Sequence, residues 1–145
     1  MKELFDVVED FLGRVIQHYG TKVDTIIIGG PAIEEEDVNK PLFVLIVIKG
    51  VKKISFLARQ EIVEYFMKKV EAEKVYSNYV IYTGHRPLIY TLLVDPSELE
   101  YHIPLVVYLS TKGVLVYGNM EVPKLPSFGN VIRMGEINKG DVVDL

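Results

Sequence analysis

The stretch DTIIIGGPAIEEEDVNKPLFVLIVIKG, Asp24 to Gly50, decides how this chain is read. Thr25-Ile26-Ile27-Ile28 is a short β-branched run that stops at Gly29-Gly30-Pro31. The acidic run Glu34-Glu35-Glu36-Asp37 follows, and then Leu42 to Ile48 is apolar at every position. Unbroken runs of this kind, closed by Gly and Pro, read as strands buried on both faces. Val44 and Ile46 should then face one core layer, with Phe43 and Leu45 facing the other.

Working outward, Leu4, Phe5, Val8, Phe11, Leu12, Val15, Ile16 and Tyr19 recur at three- and four-residue spacing, which predicts a one-faced helix ended by Gly20. After the second strand, Ser55 is placed to cap another helix. Ile62, Phe66 and Val70 form its apolar ridge, and it should end near Lys74. Val75–Thr83, rich in Tyr, Val and Ile, reads as a strand. The turn Gly84-His85-Arg86-Pro87 would join it as a hairpin to a second strand over Leu88–Val94. Ser97-Glu98-Leu99-Glu100 has capping-box spacing, and Pro104 predicts a kink in the helical segment it opens. Gly113–Gly118 is a short glycine-bounded strand, and Val131–Met134 reads as an edge strand in a Pro- and Gly-broken arm. The expected organisation is a domain over 1–118 with an arm over 119–145, packed on that domain or on a partner subunit.

The chain has 145 residues, a formal charge of −4 and no cysteine. Its length suits one domain with a full core, and disulfides, zinc–thiolate sites and thiol nucleophiles are excluded. The negative balance argues against general nucleic-acid binding. The start of the chain is acidic and amphipathic, unlike a signal peptide, so a soluble cytoplasmic protein is expected. Glutamine occurs only at 17 and 60 while Lys and Glu abound, a hint of a thermophilic source.

The order of helix, strand, Gly-turn, strand, helix, hairpin, capped helix and short strand resembles the minimal nucleotidyltransferase family. Ile27-Ile28-Gly29-Gly30 is similar to its strand-to-turn element. Leu93-Val94-Asp95-Pro96-Ser97-Glu98-Leu99, with Gly113–Gly118, resembles its closing strand, helix and ending. The resemblance implies an α/β fold, a mixed sheet flanked by helices. It also implies a Gly-Ser turn holding a triphosphate, and carboxylates holding two Mg²⁺ ions at Asp-x-Asp on the second strand and at a third acid on a later one. Here Pro31 replaces the hydroxyl residue, Asn39-Lys40-Pro41-Leu42-Phe43 opens the second strand, and Tyr90 and Thr91 stand where the third acid would lie.

The expectation is a catalytically degenerate relative that binds a nucleotide or a protein partner. The nucleotide-binding candidates are Gly29, Gly30 and Arg86. Asp37, in Asp37-Val38-Asn39, is the candidate metal ligand should Mg²⁺ bind. Against that, a charge run without fixed geometry reads first as a solvated acidic loop between two hydrophobic strands. One alternative is an active Mg²⁺-dependent nucleotidyltransferase with rearranged acids around Asp37. Another is an oligomerising structural module without ligand. The apolar groups of the arm, Ile137 and Val142-Val143 among them, motivate an expected symmetric homodimer.

Overall fold

The structure, a computed structural model, describes residues 1–118. The apolar stripe from Leu4 to Ile16 winds into α1 (Lys2–Tyr19), where Val7, Val8, Phe11 and Leu12 are wholly buried and Gly20 ends the helix. Four strands follow in chain order: β1 (Val23–Gly29), β2 (Leu42–Ile48), β3 (Ile89–Val94) and β4 (Val114–Gly118). They form one sheet ordered β3-β2-β1-β4. β1 is antiparallel to both of its neighbours, whereas β2 and β3 are parallel.

Both central strands are buried on two faces, as their uninterrupted apolar runs require. Ile26, Ile28, Val44, Ile46 and Ile48 join the larger core with α1, α3 (Phe56–Glu71) and α4 (Lys74–Thr83). Ile27, Leu45 and Val47 turn to a smaller cluster with Val94, Val106 and Leu109, the last two from α5 (Pro104–Lys112). Phe43 packs against that smaller cluster, so the expected alternation along β2 holds.

Four local expectations are corrected. Val75–Thr83 is not a strand: it lies within α4, and no hairpin precedes β3. A parallel β2–β3 pair needs a crossover from one end of the sheet to the other, and α3 with α4 supplies it. Tertiary demand overrides the β-rich composition: Tyr79 is fully buried and its hydroxyl donates to Val38 O. α3 stops at Glu71, short of Lys74. The capping box is Asp95 with Glu98 rather than Ser97 with Glu100, and Pro104 opens α5 instead of kinking a helix. Ser55 caps α3 as expected, accepting from Ala58 N–H.

Among the described residues no helix is long and apolar enough to cross a membrane. The arm over 119–145, and the edge strand expected at Val131–Met134, lie outside the described residues.

Candidate functional site

β1 ends where β2 and β3 begin, so Gly29, Phe43 and Tyr90 form one row across the sheet. Phe43 lies 6.1 Å from Tyr90 and 6.4 Å from Tyr108 of α5 between ring centroids, the latter edge-on at 88°. Tyr108 donates its hydroxyl to Glu34, on the short helix α2 (Pro31–Glu34). Burial first, and that carboxylate second, push the Tyr108 phenol up to about 12. This end of the sheet is therefore an aromatic shelf with an acidic rim.

The two glycines are shaped by packing on that shelf. A Cβ on Gly29 would stand 2.8 Å from Leu109 Cδ2 and 3.2 Å from Gly113 Cα, so the residue lets α5 lie on β1. Gly30 has φ 101°, and its Cβ would meet Phe43 Cδ2 at 2.8 Å. The amides after it are already used. Pro31 has none, Ala32 N–H donates to Pro41 O, and the Ile33 and Glu34 amides donate to Gly30 O.

Asp37 and Arg86 sit in the two loops that lead into β2 and β3. Asp37 Oδ1 accepts the Asn39 N–H at 2.8 Å, and the Asn39 side-chain amide lies 2.8 Å from His85 Nε2. Arg86 turns towards the helical layer, donating to Glu71 at 3.0 Å and to the Tyr76 hydroxyl at 3.2 Å. Its side chain is still 77% exposed. Gly29 and Gly30 thus belong to the shelf, while Asp37 and Arg86 belong to the loops beside it. Tyr108 was not singled out in the sequence, and Glu34 only as part of the acidic run; the docking of α5 brings Tyr108 to both Phe43 and Glu34.

The opposite end of the sheet carries the buried charged groups Arg59, Asp95 and Glu98. Arg59, 2% exposed, makes two 2.8 Å bonds to Glu98 and donates to the Leu93 and Ile54 carbonyls. Glu98 also accepts the Asp95 N–H at 2.7 Å, and Asp95 accepts the Gly50 N–H at 2.6 Å. Bonds from the Ser97 amide and hydroxyl, with the Gly50 amide and nearby Lys52 helping, hold the Asp95 carboxyl down at about 2. The Arg59 guanidinium holds Glu98 below its usual range.

A structural comparison matches the chain to the crystal structure of a candidate nucleotidyltransferase from Sulfolobus solfataricus. The two share 13% identity with a TM-score of 0.51, over 82% of this chain and 84% of that one. The fold is nucleotidyltransferase-like. No protein-family model and no curated protein matches the sequence.

A nucleotidyltransferase-like fold implies Mg²⁺ at the mouths of β2 and β3, and the residues there can be tested for fit. Pro41, Phe43 and Tyr90 offer no anionic oxygen to a hard cation, and Lys40 would repel it. Asp37 already spends one carboxylate oxygen on its own loop. Among the described residues, no three His, Asp or Glu side chains gather as a ligand set. The donors present do not suit the ion.

Proposed function

We propose that this protein keeps the nucleotidyltransferase fold without its transfer chemistry and binds a nucleotide by its base on the aromatic shelf. The observation that supports this most is the row Gly29–Phe43–Tyr90, where aromatic carbon occupies the places the family gives to acids. Tyr90 is 55% exposed, so a ring face is open to a base, and such stacking contributes about 1–3 kcal/mol. Gly29 and Gly30 let α5 and Phe43 approach closely and so shape the shelf. Arg86 is the cation in the loop before β3 that would meet a phosphate. The carboxylates from Glu34 to Asp37 oppose a long phosphate chain, which favours a nucleoside monophosphate over a triphosphate.

Titration calorimetry without divalent ions tests this reading. AMP or GMP should bind more tightly than ATP, and Tyr90→Ala should abolish the heat. A micromolar Mn²⁺ site lost in Asp37→Ala, together with pyrophosphate release from a nucleoside triphosphate, would sink it and restore the enzyme. The crowding of Gly30 by Phe43 favours a second reading, in which an aromatic side chain of a partner protein uses the same shelf. Absence of heat with every nucleotide would select that reading.

A further inference from the structure

The far end of the sheet holds a feature that nucleotide binding does not use. Just beyond β2, the run Lys49-Gly50-Val51-Lys52-Lys53-Ile54-Ser55-Phe56-Leu57 is exposed at every residue except Val51. A cleft of about 230 Å³ opens there, floored by Tyr19, Ile48, Val51 and Ile54 and rimmed by Lys22, Lys49 and Lys53. None of these three lysines forms an ion pair among the described residues. Leu57, 74% exposed, and Phe56 extend the apolar surface along the first turn of α3. An acidic protein therefore presents one patch that is both basic and greasy.

The patch is held rigid from below. Gly50 N–H is fixed by Asp95 at 2.6 Å, and Ile54 O by Arg59 Nε at 3.0 Å. Arg59 is itself locked by Glu98. Burying an ion pair costs several kcal/mol of desolvation per charge, so its use beneath a surface turn calls for a reason beyond stability. A pre-shaped backbone lowers the ordering cost of binding, and that is what the network supplies here.

We propose that the Lys49–Leu57 surface docks an acidic segment of a partner protein, anchored by one large apolar side chain in the cleft. The cleft is smaller than the roughly 300–1,000 Å³ of typical small-molecule sites, and it suits a single anchor residue. The unpaired ammonium groups around it complement carboxylates flanking that anchor. Nucleic acid is disfavoured, because a few lysines on a chain of net charge −4 release few counterions. This inference is independent of nucleotide binding, since the two surfaces lie at opposite ends of the sheet.

Amide NMR of the full chain provides the test. The probe is a twelve-residue peptide of Glu and Asp with one central phenylalanine, used beside inorganic phosphate and anionic phospholipid vesicles. Peptide-induced shifts should cluster at residues 48–57 and spare 29–43 and 89–91. Affinity should fall at least tenfold in Lys49→Glu/Lys53→Glu, and equally when the peptide's phenylalanine becomes alanine. Lys49→Gln/Lys53→Gln, with less charge change, should give an intermediate loss and an unaltered spectrum without peptide. Three outcomes would overturn the proposal. One is the same shifts with phosphate or vesicles together with indifference to the phenylalanine. Another is no peptide shift at millimolar concentration. The last is joint movement of residues 34–37 and 48–57 on concentrating the protein alone, which would make a second copy the occupant.

Discussion

The two ends of this sheet have been treated in opposite ways. Where the fold family performs chemistry, the strands end in Gly29, Phe43 and Tyr90, and the neighbouring acid Asp37 serves its own loop. At the far end Arg59, Asp95 and Glu98 are buried and hydrogen-bonded, and both carboxyls are held below their usual range. Perturbed carboxylates often mark active sites. Here each shift has a structural partner at hand: Ser97 and Gly50 for Asp95, Arg59 for Glu98. A depressed pKa is thus a pointer to constraint, and the geometry around it decides what the constraint serves.

The sharpest way to break this contrast is Arg59→Leu. It strands Glu98 in a buried site, and urea unfolding should show a loss of about 3–5 kcal/mol. Adding Glu98→Leu should recover much of that loss; no recovery would mean that the carbonyl bonds to Ile54 and Leu93 matter more than the ion pair. Next, Ile46→Ala and Leu45→Ala should each cost about 2–5 kcal/mol, because both faces of β2 are closed midway between the two ends. If either proved neutral, one face would be open.

Acid should then separate the ends. Asp95 has a folded value of about 2 against an ordinary 3.8, so its stabilising contribution is complete above 3.8 and is lost as pH falls through about 2. Thermal melts between pH 5 and about 2 should decline less steeply for Asp95→Asn than for the parent. Parallel curves would remove Asp95 from the account. The smallest effect belongs to the aromatic end: Tyr90→Ala should change stability by no more than about 0.5 kcal/mol while removing nucleotide binding. A large destabilisation would make the shelf part of the core.

Much of this was legible in the chain itself. Ile26 to Ile28 and Leu42 to Ile48 carry two-sided burial in their composition, and α1 carries its period, so the α/β layering followed directly. α4 was hidden because Val75, Tyr76, Val80, Ile81 and Tyr82 favour strands locally. Its helical phase shows only once Tyr79 and Val80 are known to pack on the core. The buried pair was equally hidden: Arg59 and Glu98 are far apart in sequence, and nothing near either one marks its partner. Gly29 and Gly30 were visible as a turn, but their contacts come from α5 and Phe43, which only the assembled fold brings near.

The sheet order β3-β2-β1-β4 also sets a sequence of events for the growing chain. β1 and β2 can pair soon after synthesis, and β3 joins once its helical crossover is made. β1 waits longest, because its second neighbour is β4, which pairs Thr25 with Gly118. Until then Ile26, Ile27 and Ile28 present an open apolar edge, the kind of template on which chains misassociate. A ribosome stalled, or a chain cut, before Val114 would leave that edge permanently bare. Such fragments should precipitate or bind thioflavin while the chain through Gly118 remains dispersed, and a soluble monomeric 1–112 fragment would show that α1 and β2 protect β1 without its last partner.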